Sequence, residues 1–235
     1  MDTKKKIRLS KFMAAAGIAS RRACESLIFD SRVTVNGVTV IEPQHLVNEQ
    51  DKIVVDGKAI GHSEPKVYYI FNKPAGVICT AKRTPSTKVV LDLFQEIPYR
   101  LFTIGRLDKE TQGLLLVTND GHFANRVIHP SSNILKEYVA KTDAEITAEH
   151  LALISRGTLV EGAFIKPLRV KKVRKGTIKI AVGEGKKREV RLLLEAAGLS
   201  VIELTRIRIG GLHLGNLATG EFREMTEQDK ELIFQ

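Results

Sequence analysis

A carboxylate set among cations on a short polar stretch can serve as a nucleophile or steady a developing positive charge. Asp108 sits in such a stretch, Arg106-Leu107-Asp108-Lys109-Glu110-Thr111. Most loop aspartates are helix caps, turn formers or surface charges, so the neighbours decide. Gly113 to Val117 is an unbroken apolar run closed by Asn119-Asp120-Gly121, the pattern of a buried strand ending in a tight turn. A polar loop anchored to a buried strand suits reactive groups, because the strand fixes the position while the loop reaches a ligand. Asp108 is therefore the first candidate for chemistry.

Other chemistries find less support. Cys24 and Cys79 are too few and too far apart for a zinc knuckle or a redox Cys-x-x-Cys pair, and read as buried thiols in a reducing compartment. The six histidines show no H-x-x-x-H spacing, so no metal site is expected. Gly183-Glu184-Gly185-Lys186-Lys187 resembles a phosphate-binding loop only in composition, and no cofactor motif is present. A net charge of +10 over 235 residues, 43% of them hydrophobic, describes a folded basic protein whose first-choice partner is a polyanion. Nucleic acid ranks ahead of an anionic membrane surface. No apolar run approaches the roughly 18 residues that span a bilayer, and the lysine-rich start lacks the apolar stretch of a signal peptide. A soluble, cytoplasmic monomer is expected.

The elements that must position Asp108 are legible around it. Val67 to Phe71 reads as a buried strand running into Asn72-Lys73-Pro74-Ala75-Gly76, and Val90 to Phe94 as helical. Leu101 to Ile104 leads into the Asp108 stretch. His122 to Ile128 has helical spacing, Lys136 to Ala140 is a strand, and Thr147 caps a further helix. Lys166 to Arg191 carries eleven Lys or Arg against Glu184 and Glu189; alternation through Val170, Val173, Ile178 and Ile180 makes it a strand pair with a basic face. A helix follows through Leu192 to Ala197, then a strand from Val201 to Ile209 and a terminal helix, Glu227 to Phe234, capped by Thr226.

The N-terminal region has a different character. Lys4, Lys5, Lys6, Arg8, Lys11, Arg21 and Arg22 precede the first acid after Asp2, which is Glu25. Such a block is usually a solvated tail or a polyanion-binding face, and this one is woven into a foldable pattern. Leu9, Phe12, Met13 and Ala16 recur at helical spacing before Gly17. Ser20 then caps a helix from Arg21 to Phe29, with Ala23, Leu27 and Ile28 inward. Arginines in that first turn oppose the helix dipole, an arrangement that fits phosphate binding; the alternative is that they are simply solvated. Val33 to Val40 reads as a hairpin about Asn36-Gly37, and Lys52 to Val55 as a third strand.

Two sets of motifs carry family resemblances. Arg8-Leu9-Ser10-Lys11-Phe12-Met13, Ser20-Arg21-Arg22 and Val33-x-Val35-Asn36-Gly37, in helix–helix–hairpin order, resemble the S4 RNA-binding domain over about residues 7 to 60. That resemblance implies that Lys11, Ser20, Arg21 and Arg22 line an RNA-facing surface. The string G-R-L-D-x-x-T-x-G-L-L-L-x-T-x-D-G from Gly105 to Gly121 resembles the signature of the RNA pseudouridine synthases, in the branch that acts on ribosomal RNA and carries an N-terminal S4 domain. N-K-P-x-G at Asn72, K-x-Y at Lys136 and G-x-x-x-x-V-R ending at Arg191 match further motifs of the same family.

The resemblance implies an α+β protein: a small S4 domain over residues 1–62, then a catalytic domain over residues 63–235 with a mixed, largely antiparallel sheet flanked by helices. It implies a reaction in which the C1′–N1 bond of a uridine breaks, the held uracil turns, and a C1′–C5 bond forms, with no cofactor. Asp108 is then the catalytic carboxylate, attacking C1′ or ring C6 or assisting an elimination. Tyr138 is the ring against the uracil, and Arg191 the cation that keeps the carboxylate ionised. Arg106 is a wedge, a phosphate hook or a loop scaffold. Lys73 supports the active-site loop and is grouped with the RNA-contacting residues, and Thr80 to Lys88 is a flexible basic loop facing RNA. Ribosomal RNA is the implied partner, the large subunit's ahead of the small's. A non-catalytic S4-type ribosome-assembly factor is the alternative. A carboxylate glycosidase fits less well, since it wants a second carboxylate and aromatic platforms, and this chain has 6% aromatics and no Trp.

Overall fold

The computed structural model describes residues 6–61, 64–80, 87–160, 162–183 and 185–235. The expected boundary at residues 62 and 63, and most of the expected basic loop between Thr80 and Lys88, lie outside the described residues. The chain divides into two compact units, the first running to Lys66 and adding Ile97–Arg100 and Asn119–Gly121, the second holding the remainder.

In the first unit, β1 (Ile7–Arg8) leads into α1 (Leu9–Ala15) and α2 (Arg21–Phe29). The Ser20 hydroxyl accepts from the Ala23 N–H at 3.2 Å and so caps α2. β2 (Val33–Val35) and β3 (Val38–Thr39) form the hairpin; Asn36 and Gly37 both take positive φ, +53° and +86°, as a two-residue turn between twisted strands demands. β4 (Leu46–Val47) pairs with β1, and β5 (Ile53–Val55) with β2 and β6 (Lys58–Ala59). Leu9, Met13, Ile28, Val33 and Ile53 fill the core. Ala23, expected inside, is exposed, and Cys24 one residue on is buried in its place. The Cys24 thiol donates to the Ala19 carbonyl at 3.6 Å.

The second unit is built on a nine-stranded sheet. Its strands are β7 (Tyr68–Lys73), β8 (Phe102–Ile104), β9 (Thr111–Thr118), β10 (Lys136–Thr142), β13 (Arg169–Arg174), β14 (Thr177–Val182), β15 (Val201–Ile209), β16 (Leu212–His213) and β17 (Phe222–Glu224). The main order is β13-β14-β10-β15-β9-β7-β17, with β8 on β9 and β16 on β15. Every pairing is antiparallel except β9 with β15, which run parallel with Thr111 opposite Leu204 and Gly113 opposite Arg206. A separate hairpin, β11 (Thr158–Val160) and β12 (Ala163–Ile165), stands off this sheet.

Leu114 and Leu116 of β9 are fully buried on one face with Ile70, Ile209 and Ile233, and with Phe123 and Val127 of α3 (Gly121–Ile128). Each such side chain contributes about 1.5–3 kcal/mol of burial. β9 ends at Thr118 and α3 begins at Gly121, so Asn119 and Asp120 form the short connection between strand and helix. Val90–Phe94 is a 3₁₀ turn, and Phe94 stacks on Phe222 at 4.3 Å between ring centroids. Val173, expected inside, is half exposed, because the register of β13 on β14 slips between Lys172 and Arg174 and turns it out of the alternation. Flanking helices α4 (Ala148–Arg156) and α5 (Glu189–Ala196) complete the unit, with α6 (Glu227–Leu232) at the end. Among the described residues, no helix is long and apolar enough to cross a membrane.

Candidate active site

The loop between β8 and β9 is held by its backbone. Thr111 N–H donates to the Asp108 carbonyl at 3.0 Å, closing a turn with Asp108 at its head. The next three carbonyls each meet a donor from elsewhere in the unit. Lys109 O accepts from Gly76 N–H at 2.8 Å and from Lys73 Nζ at 3.2 Å. Glu110 O accepts from Arg191 Nη2 at 3.3 Å, and Thr111 O from Lys73 Nζ at 2.7 Å. Two buried cations thus grip successive peptide groups, leaving the Asp108 side chain free to face outward.

That geometry removes Lys73 from the RNA-contacting residues and makes the link between Arg191 and Asp108 an indirect one. Lys73 is 0% exposed and spends its third donor on the Pro74 carbonyl at 2.9 Å, so it cannot meet RNA and acts only as support for the loop. Burial pushes its ammonium below the ordinary lysine range, against the pull of Cys79, Glu110 and Asp108. Arg191, on α5, forms no ion pair with Asp108 among the described residues; its guanidinium goes to Glu110 O and, at 3.4 Å, to Val201 O, and its Nε has no partner. Burial and the nearby Arg188 lower its pKa, while Asp108 and the other acids raise it. Arg191 therefore reaches Asp108 through the loop backbone and through space.

Asp108 lines a cleft of about 460 Å³, with Arg106 and Lys109 from the same loop. Tyr138, nearly buried on β10, lies in it with Leu204, Thr111, Ile78 and Cys79. Lys186, Lys187 and Arg188, ahead of α5, give the cleft a basic rim. That rim is shaped by Glu189, whose carboxylate accepts from the Gly185 and Lys186 N–H groups at 2.8 and 2.9 Å, while Arg188 takes a left-handed conformation at φ +55°. Cys79 supports the loop from below, its sulfur accepting from Leu107 N–H at 3.5 Å, and burial raises its thiol pKa.

Sequence reasoning gave no site role to Glu189, Lys136 or Arg206. Glu189 had a signal, a carboxylate in the first turn of a helix behind a glycine-led basic run. Arg206 had none: its Nε donates to Leu114 O at 2.8 Å across the parallel β9–β15 contact, which no local pattern announces. Lys136 Nζ donates to Gly183 O at 3.0 Å, and burial and Arg206 lower its pKa.

In the first unit, Lys11, Arg21 and Arg22 are exposed. Arg21 pairs with Glu25 at 3.3 Å, and the Ser20 hydroxyl is engaged as the cap of α2.

The profile of the RNA pseudouridylate synthase family matches residues 67–196, and that of the S4 domain residues 7–53. The chain belongs to the RNA pseudouridylate synthase family. Within that family it is similar to ribosomal large subunit pseudouridine synthase B of Bacillus subtilis (strain 168), at 42% identity over 94% of this chain and 93% of that protein. A putative chloroplastic ribosomal large subunit pseudouridine synthase of Arabidopsis thaliana is 43% identical over 96% of this chain, which spans 60% of that longer protein. Among solved structures, a pseudouridylate synthase crystal structure is similar with a TM-score of 0.70 and 26% identity, covering 97% of this chain and 99% of that one. The pseudouridylate synthase fold is thus a largely antiparallel sheet with helices on it, preceded here by an S4 domain.

Proposed function

We propose that this protein converts a uridine of large-subunit ribosomal RNA to pseudouridine, with Asp108 as the reacting carboxylate. The observation that carries the proposal is the placement of Asp108: it heads a turn pinned by Lys73 and Arg191 and faces a cleft that also holds Tyr138. The large-subunit assignment draws on the 42% identical relative.

Each group then has a task. The cleft volume lies within the range of small-ligand pockets and accepts one extruded nucleotide. Extrusion costs a few kcal/mol, and the cations of the rim, Lys186, Lys187 and Arg188, repay part of it by meeting backbone phosphates. The Tyr138 ring stacks on the uracil and keeps it in place after the C1′–N1 bond breaks. Asp108 meets the electron-poor centre of the nucleoside, C1′ or ring C6, and the uracil turns before C5 bonds to C1′. C5 loses its proton and N1, freed from the ribose, gains one, so the atoms balance and nothing is consumed. Arg106, exposed on the cleft lip, occupies the space the base vacates or holds a phosphate. Residues 1–62 supply affinity through Lys11, Arg21 and Arg22, and residues 63–235 supply chemistry.

Replacing Asp108 with Asn tests this reading. The variant is expected to fold, to bind ribosomal RNA nearly as the parent does, and to release no tritium from RNA carrying [5-³H]uridine. Measurable turnover by Asp108→Asn would remove Asp108 from the chemistry.

A further inference from the structure

The first unit has a groove of its own, of about 220 Å³, lined by Arg8, Arg21, Glu25, Phe29 and Gln44 among others. Arg21, Glu25 and Phe29 follow one another at intervals of four along α2, so they form a single row on one side of that helix. Pro43 and Gln44 come from the segment ahead of β4. That segment is tied to the start of α1: Leu9 N–H donates to His45 O at 2.7 Å and Ser10 N–H to Pro43 O at 3.4 Å, using donors that a helix N-terminus leaves free. Pockets for whole small ligands begin at roughly 300 Å³. The smaller groove suits one part of a chain molecule.

Two features distinguish it from a plain phosphate-binding surface. Phe29 is 65% exposed, an apolar ring left to water at the end of α2. A single exposed apolar side chain is ordinary, but this one borders a formed groove that also holds two exposed arginines, Arg8 and Arg21. Glu25 is the second feature. An ionised carboxylate repels phosphate and accepts hydrogen bonds without donating any. Its ion pair with Arg21, at 3.3 Å, uses Nε and Oε1 alone. A ring face, a pure acceptor and cations together match the parts of a nucleotide: the base, an amine on its edge, and the phosphates.

We infer that this groove reads one unpaired RNA base that carries an exocyclic amine, cytosine first: Phe29 stacks on the base, Glu25 accepts from the amine, and Arg8 and Arg21 hold the neighbouring phosphates. The inference rests on RNA being the substrate, as proposed above, and not on which carboxylate reacts. Glutamate accepting from cytosine N4 is an established pairing. Uracil carries a carbonyl where cytosine carries the amine, so it sets one acceptor against another and is disfavoured. The first unit therefore supplies selectivity as well as affinity. It also discriminates against the base on which the cleft acts, so docking does not compete with the reaction for the same uridine.

The chain has no Trp, so Phe29→Trp puts a single indole in the groove as both stacking ring and reporter. Single-stranded hexamers of cytidine and of uridine carry the same phosphates, and the difference between them isolates the base edge. The cytidine hexamer is expected to quench the indole and to bind about tenfold more tightly than the uridine hexamer. Adding Glu25→Ala should bring the two affinities together; the charge freed on Arg21 raises both alike, so their ratio is the readout. On transcribed large-subunit ribosomal RNA, Phe29→Ala is expected to bind about tenfold more weakly with an unchanged slope of log K against log salt, because a stacked base is lost and no phosphate contact is. Indole emission that responds to neither hexamer, or equal affinity for the two, would overturn the inference. So would parental RNA affinity in Phe29→Ala. Hexamer binding needs no turnover, so any of these results leaves the proposed reaction standing, whereas a parent that forms no pseudouridine would overturn that reaction and leave the hexamer preference intact.

Discussion

At the scale of single residues, what counts is how each charge is held. The resemblance drew attention to Asp108 and Arg191 as a pair, and the structure gives them a less direct relation, since the guanidinium reaches the loop's peptide carbonyl and not the carboxylate. A side chain's target is set by its neighbours in space, and no spacing rule distinguishes a carbonyl from a carboxylate two residues away. Lys73 illustrates the same limit, because its proline neighbour marked a rigid turn but not its complete burial. A well-determined charge lies away from the cleft. Asp229 accepts from Arg223 at 2.6 and 3.0 Å and from Thr226 N–H at 2.9 Å, and the Arg223 guanidinium, then the Thr226 groups, hold its pKa down at about 2 from 3.8. A depressed carboxylate stabilises the fold above its unfolded pKa and loses that contribution as pH falls through the folded value. Stability is therefore expected to drop by about 2 kcal/mol between pH 3.8 and pH 2 through this group alone. Urea denaturation of Asp229→Asn at those pH values should show a shallower fall than the parent.

At the scale of elements, the tightest fit is between β9 and β15. Gly113 has φ +102°, and a Cβ placed there would lie 2.3 Å from the Arg206 carbonyl oxygen and 2.8 Å from its nitrogen. Both are backbone atoms and cannot move aside cheaply. Gly113→Ala is expected to cost more than about 2 kcal/mol by overpacking and backbone strain together. A thermal melt should show the loss, and the Asp108 turn should become more accessible to hydrogen exchange. Local patterns revealed the α-helices and the long strands, because apolar alternation and caps such as Ser20, Thr147 and Thr226 are local, whereas the two- and three-residue strands β1, β4, β6, β11, β12, β16 and β17 are too short to show alternation and went unread. Alternation misplaced Val173, where a slipped register overrode it. It could not foresee which strands pair, and the β9–β15 contact that carries the loop was invisible for that reason.

At the scale of the whole molecule, charge dominates. A surplus of ten positive charges in 235 residues draws any RNA toward the surface, and the association weakens as salt restores the counterions. Arg21 and Arg22, exposed at the start of α2, are expected to contribute to that term in proportion to the phosphates they meet. Replacing both with Ala should weaken binding to ribosomal RNA and flatten the slope of log K against log salt by about 1 to 2. Filter binding across a salt series measures this, and an unchanged slope would remove the first unit from docking.

The parallel pairing also orders the life of the chain on the ribosome. Arg206 meets Leu114 across 92 positions of sequence, and Arg191 meets Glu110 across 81. Translation delivers the Asp108 turn long before either arginine, and contacts of such range close late in folding. A growing polypeptide therefore carries the Asp108 turn before the two arginines that hold its neighbouring carbonyls have been made.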